Sequence, residues 1–228
     1  MMTHISKKRK GKCGEMAIKL DMSKAYDRVE WECLKQIMMK LEFHMNWIST
    51  VMRCVSSVKY VVRINGQPYD LNQPTRGLRQ GDLLSPYLFL ICVEGLSALL
   101  HQAAYRKAIK GVAASVHGPR ISHLFFADDS LVFGRATVSE AMEILRILKV
   151  YKVSSGQQLN CHKTSLYFSP NSNNGTKERV KTMFGTQVIK PPKAYQVYRH
   201  LWEDPRTILL RKSNRKWLIR SRVGRKRF

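Results

Sequence analysis

Leu124-Phe125-Phe126-Ala127-Asp128-Asp129-Ser130-Leu131-Val132-Phe133 is the stretch on which the reading of this chain turns. Two apolar runs, Leu124 to Ala127 and Ser130 to Phe133, are joined across an aspartate pair, which suits a buried β-hairpin. Burying unpaired carboxylates costs free energy, and adjacent like charges raise the cost. A divalent cation relieves it, and magnesium takes hard oxygen ligands, typically a couple of carboxylates plus phosphate and water. A second aspartate stands in a similar place. Met16 to Leu20 is a short, mostly apolar run, suited to a buried strand, that ends on Asp21. If that strand lies beside the hairpin, Asp21 and Asp128 share one edge of a sheet, where a pair of metals could serve nucleotidyl transfer. Plainer readings stand beside this one. Asp-Asp is ordinary turn chemistry at a hairpin tip, and Asp21 could cap a following helix. Spacing alone leaves both open.

Outward from these carboxylates, Trp31, Leu34, Ile37, Met38 and Leu41 recur at helical spacing. Val58 to Ile64 and Gln67 to Leu71 flank Asn65-Gly66, a favoured two-residue turn, and read as another hairpin. Ser85-Pro86 opens a long helix reaching about Ala104, with proline tolerated in the first turn. Thr137 and Glu140 resemble a capping box, starting a helix through Ile144, Leu145, Leu148 and Tyr151 that stops before Gly156. Leu166 to Phe168 suits a closing strand. The class is therefore α+β, an antiparallel-rich sheet backed by helices.

The 228 residues hold one good-sized domain with a tail, and 44% hydrophobic content excludes wholesale disorder. The formal charge of +24, from 40 basic and 16 acidic residues, favours a polyanionic partner, nucleic acid first. The run Lys7, Lys8, Arg9, Lys10 near the start suits backbone contact or nuclear import, or simply a solvated end. Five scattered cysteines without a C-x-x-C pair fit a reducing compartment, nucleus or cytoplasm, and argue against a disulfide framework or structural zinc. No secretory leader is visible. The most apolar segment, Leu83 to Leu100, is interrupted by Ser85, Pro86, Glu94, Gly95 and Ser97 and reads as a buried helix, so no membrane partner is expected. The organisation expected is a basic segment over 1–15, a folded domain over 16–170, and a linker with a basic, poorly ordered tail over 171–228. The fold itself should end between residues 170 and 190.

Four segments resemble the reverse transcriptases of plant LINE-type (non-LTR) retrotransposons. Met16 through Trp31 (M-A-I-K-L-D-M-S-K-A-Y-D-R-V-E-W) resembles the family's first palm motif. Arg76-Gly77-Leu78-Arg79-Gln80-Gly81-Asp82, followed by Leu84-Ser85-Pro86-Tyr87-Leu88-Phe89, resembles the second. Phe126-Ala127-Asp128-Asp129 resembles the third, and Ser155 to Asn160 with Lys163-Thr164 the fourth. One such word is weak evidence; four in order over about residues 5–170 are strong. The resemblance implies a polymerase palm that copies an RNA template onto a DNA primer from dNTP with Mg2+, or Mn2+ in its place. Asp21 and Asp128 would be metal ligands helped by the Met22 backbone carbonyl, and Asp129 would support the site and the primer end. Tyr26 would stack under the incoming sugar and exclude a 2′-hydroxyl. Gln80 and Gly81 would lie against the nascent base pair, Lys163 would contact pyrophosphate, and Arg76 and Arg79 would contact nucleic acid.

The chain departs from the family in three places. Leu83 stands where the family has proline. The chain begins just upstream of the first motif, so the fingers segments that grip template and triphosphate are expected to be missing. Near residues 195–205 the family's Y-L-G-L-P-type segment is replaced by Tyr195-Gln196-Val197-Tyr198-Arg199-His200-Leu201-Trp202, and a tail translated out of frame is the reading this suggests. The alternative function, from a different class, is a catalytically inactive remnant that binds nucleic acid without sequence preference.

Overall fold

In the computed structural model, residues 5, 8–9, 11, 13–113, 118–126, 129–188, 211–213 and 216–218 are described, the side chains of 126, 129 and 187 onward excepted. The chain divides into a unit Met1–Ile189 and a second unit Lys190–Phe228.

The first unit is built on a five-stranded sheet in the order β11–β10–β1–β8–β7. Its central strand, β1 (Glu15–Leu20), pairs antiparallel with β10 (Ser165–Phe168) and with β8 (Asp129–Arg135). Beyond β8 lies its hairpin partner β7 (His123–Phe126), and beyond β10 the short β11 (Gln187–Val188) runs parallel. Strand β1 is flanked on both edges, and Met16, Ala17, Ile18 and Leu20 are all buried. That accounts for a near-continuous apolar run instead of a clean alternation.

Helix α1 (Trp31–Lys40), α2 (Met45–Ser56), α3 (Ser85–Tyr105), α4 (Val138–Ser155) and α5 (Asn174–Phe184) complete the unit. One core gathers Met16, Ile18 and Leu20 with Leu96 and Leu100 of α3, Ile144, Ile147 and Tyr151 of α4, and Val180 and Phe184 of α5. The other packs Leu34, Met38, Ile48 and Val51 of α1 and α2 against Leu78 and Leu88, Phe89, Cys92 of α3. Helix α3 serves both cores, so apolar residues surround it rather than striping one face. It is long and apolar enough to cross a membrane, yet both cores bury it in part, as expected of a buried helix. Burial also pushes the Cys92 thiol up to about 12, and no disulfide forms among the described cysteines.

Hairpin β3 (Tyr60–Ile64) and β4 (Gln67–Asn72) turns at Asn65 (φ 51°) and Gly66 (φ 81°), the positive pair that the dipeptide announces. Helix α4 starts as expected, with Thr137 accepting from the Glu140 N–H, and ends at the left-handed Gly156. The Glu140 carboxylate does not close the capping box. It accepts instead from the Arg135 and Lys110 N–H groups, at 2.9 and 3.2 Å, tying α4 to the sheet.

The unit continues past residue 170. Residues 174–188, assigned to the linker, form α5 and β11. Asn173 caps α5 through its side chain, Val180 and Phe184 enter the core, and the unit runs to Ile189. In the second unit, β12 (Arg211–Ser213) and β13 (Lys216–Leu218) pair as a two-stranded ribbon.

Candidate active site

Strand β1 ends one residue before Asp21. Leu20 pairs with Ser130, so the next antiparallel step brings Asp21 level with Asp129 at the start of β8. Phe126 pairs with Asp129 in the β7–β8 hairpin. Asp128 itself and the Asp129 side chain lie outside the described residues. The backbone nonetheless brings Asp21 and Asp129 to one end of adjacent strands.

The half-buried Asp21 is held by its main chain. Its N–H donates to Thr164 Oγ1 at 3.4 Å, and its carbonyl accepts from the Asn160 N–H at 2.8 Å. The next residues, β2 (Met22–Ser23), pair with β9 (Gln158–Leu159). In an antiparallel ladder, hydrogen-bonded and non-bonded pairs alternate. Because the Asn160–Asp21 pair is bonded, Met22 opposite Leu159 is a non-bonded pair, and its carbonyl turns away from β9. A carbonyl facing away from its ladder beside a half-buried carboxylate is a donor set that suits a hard cation. Among the described residues no group of three or more His, Cys, Asp or Glu side chains forms a ready cation cage.

The turn after β2 is wrapped by the second motif. Gly77 N–H donates to the Val29 carbonyl and Leu78 N–H to the Tyr26 carbonyl, both at 2.8 Å. Trp31 Nε1 donates to the Gly77 carbonyl at 2.7 Å, and Gln80 Nε2 to Asp27 Oδ1 at 3.2 Å. Tyr26 is half-buried, its ring stacked on Phe89 of α3 at 4.9 Å between centroids. Gln80 and Gly81 are exposed, with Gly81 at φ 83° and open space where a Cβ would project. Arg79 is exposed, and Arg76 reaches Glu30 Oε1 at 3.3 Å. A cavity of about 260 Å³ adjoins this loop, lined among others by Asp27, Tyr60, Arg76, Leu78 and Arg79. Neither Asp21 nor Tyr26 lines it, so it flanks the carboxylate edge without containing it.

Lys163 is exposed in the turn between β9 and β10, one residue before the Thr164 that touches Asp21. Of the N-terminal basic run, Lys8 is engaged in an ion pair with the buried Glu15 at 2.6 Å, Arg9 is exposed, and Lys7 and Lys10 lie outside the described residues. The sequence reading assigned no role to Gln157 or Thr164. Yet Gln157 donates from Nε2 to the Ala25 carbonyl at 2.7 Å and Thr164 braces Asp21. Their position in the fourth motif, Gln157 directly after the helix-ending Gly156 and Thr164 directly after Lys163, was the available signal.

Residues 2–217 match the family described as reverse transcriptase (RNA-dependent DNA polymerase). The chain belongs to the reverse transcriptase family. An uncharacterised mitochondrial protein of Arabidopsis thaliana is 54% identical over 67 residues, 29% of this chain and 55% of that protein. A 149 kDa protein of the TX1 transposon of Xenopus laevis is 26% identical over 151 residues, 65% of this chain and 11% of that protein. This reverse transcriptase chain thus spans about half of one curated relative and about a tenth of the other. Truncated telomerase from Candida tropicalis superposes with a TM-score of 0.52 at 18% identity, covering 74% of this chain and 34% of that one. Candida albicans telomerase does so with a TM-score of 0.52 at 15% identity, covering 67% and 26%. These likenesses show a palm-like polymerase fold.

Proposed function

We propose that this reverse transcriptase chain carries the catalytic palm of a non-LTR element, an RNA-directed DNA polymerase that extends a DNA primer from dNTP on an RNA template. One observation carries the reading: the β1–β8 register that puts Asp21 level with Asp129, which Asp128 directly precedes in sequence. Magnesium, or manganese in its place, would be held by Asp21 and Asp128 with the Met22 carbonyl, and when bound supplies the charge that favours an ionised 3′-hydroxyl and a departing pyrophosphate. The remaining work falls to the chain itself. Asp129 supports the primer end. Tyr26, pinned on Phe89, sits under the incoming sugar and leaves no room for a 2′-hydroxyl. Gln80 and Gly81 lie against the nascent base pair, where a residue without Cβ lets the duplex approach. Arg76 and Arg79 meet phosphates, and Lys163 meets the pyrophosphate.

A second reading has its own observation. Residues 13–189 hold 22 basic and 14 acidic side chains, so most of the +24 excess resides in the two ends. A chain whose charge sits mainly off the palm is suited to holding nucleic acid without turning it over. Primer extension on an RNA template, with magnesium and then manganese, beside Asp128→Asn, separates the two. Extension by the parent that vanishes in the variant supports the polymerase. Salt-sensitive RNA binding by both, with extension by neither, supports the binder.

A further inference from the structure

We propose that Gln157 is a positioning residue for sugar selection, holding the peptide that precedes Tyr26; the proposal rests on the polymerase reading above. Gln157 follows the Gly156 cap of α4 and is 2% exposed. Its Nε2 donates to the Ala25 carbonyl at 2.7 Å, across 132 positions of sequence. On the far side of Tyr26, the Leu78 N–H donates to the Tyr26 carbonyl at 2.8 Å. Peptide groups are rigid planes, so the two that meet at the Tyr26 Cα are both held, the first by Gln157 and the second by Leu78 with a longer bond from Val29 at 3.5 Å. Together they set the direction in which Cβ leaves the chain. Stacking on Phe89 then orients the ring.

A merely structural role fits Gln157 poorly. The end of α4 is already satisfied without its amide: the Gly156 N–H donates to the Lys152 carbonyl, and Ser155 Oγ accepts from the Gln157 N–H. Moreover, the Gln157 Oε1 is buried and has no hydrogen-bond partner. An orphaned buried acceptor is costly, and a methionine would fill the same space without it. What the amide adds over methionine is the bond to Ala25. That bond acts next to the ring on which discrimination against a 2′-hydroxyl depends, and it leaves Asp21 and its own supports, Thr164 and Asn160, untouched.

The test is Gln157→Met in the full chain, read in two ways. Residue-resolved amide exchange should quicken at Leu78 and Val29, whose N–H groups both donate to the Tyr26 carbonyl, while the Asn160 amide bonded to Asp21 and the β1 and β8 amides keep their protection. Those unchanged amides certify that the variant is folded. Single-nucleotide extension should show the preference for dNTP over rNTP falling by about fivefold, the factor one neutral hydrogen bond supplies, mostly through a lower KM for the ribonucleotide. Unchanged preference in a parent and variant that both extend overturns the proposal, and so does unchanged exchange at Leu78 and Val29. A parent that extends nothing overturns the polymerase reading and the selection role with it. Exchange would then still tell whether the tether holds the turn.

Discussion

Gly77 sits at φ 91°, and a methyl group there would meet the Asp27 carbonyl oxygen at 2.8 Å. Gly81, four residues on, has a similar φ of 83° but nothing within reach of a Cβ. The pair separates packing from function. Gly77→Ala should cost about 2 kcal/mol or more, from left-handed strain plus the clash, read by denaturant unfolding. Gly81→Ala should cost only the strain, about 1 kcal/mol, yet lower dNTP use if the duplex lies against it. Equal stability losses would sink the distinction. A second residue-scale expectation concerns His123, whose ring nitrogens meet Ser97 Oγ and Ser122 Oγ at 3.0 Å and whose ring lies edge-on to His101. Burial first, and the neighbouring His101 second, push its pKa down to about 4 from an ordinary 6.5. Between those values the unfolded chain binds a proton that the folded chain refuses, so stability falls as pH drops through that window, by at most about 3 kcal/mol. Unfolding measured at pH 7 and pH 5.5 should show a steeper loss for the parent than for His123→Gln. Parallel losses would mean that the folded protein protonates His123 without penalty.

At the scale of elements, what could be read in advance followed from how local the signal was. Asn65-Gly66 places β3 and β4 because a two-residue turn needs positive φ and those residues accept it. Gly156 stops α4 for the same reason. Helix α2 and helix α5 were not anticipated. Helix α2 buries Ile48 and Val51, as many residues as the anticipated α1 buries with Leu34 and Met38, so its periodicity was there to be read; α5 buries only Val180 and Phe184 within a largely polar sequence. For α5 the decisive cue was the Asn173 side chain accepting from Gly175 and Thr176, concealed in a run that reads as a polar linker. The adjacency of β1 and β8 was legible in two apolar runs that each meet an aspartate. The tie between Gln157 and Ala25 was not, because no local pattern pairs residues so far apart. Phe184→Ala should therefore cost about 3 kcal/mol or more, and a chain ending at residue 170 should lose cooperative unfolding. A sharp transition in the shortened chain would show α5 to be dispensable. Hairpin β3–β4 carries the opposite expectation. Val61 and Leu71, cross-strand partners, are 50% and 58% exposed. Replacing both with threonine should raise solubility with little loss of stability, read by light scattering and thermal unfolding.

For the molecule as a whole, the placement of charge matters more than its total. Residues 1–12 carry five basic side chains and residues 190–228 carry thirteen, against two acidic ones in both ends together. Residues 13–189, which include the aspartates, have a net excess of only eight. Each phosphate neutralised by lysine or arginine contributes roughly 0.7 to 0.9 to the slope of log affinity against log salt. If the ends do the holding, removing residues 190–228 should flatten that slope by several units while leaving the sheet and its aspartate edge intact. On the polymerase reading proposed above, catalysis belongs to the edge where β1 meets β8, and at low salt the shortened chain should extend a primer as well as the parent does. The measurement is RNA affinity between 50 and 300 mM salt, roughly the span over which such contacts are lost, for both chains. A slope that does not change would assign nucleic-acid holding to residues 1–189, with the basic run at the start and then Arg76 and Arg79 as the first residues to substitute. A slope that collapses with extension preserved would mean that residues 190–228 raise affinity without taking part in the chemistry.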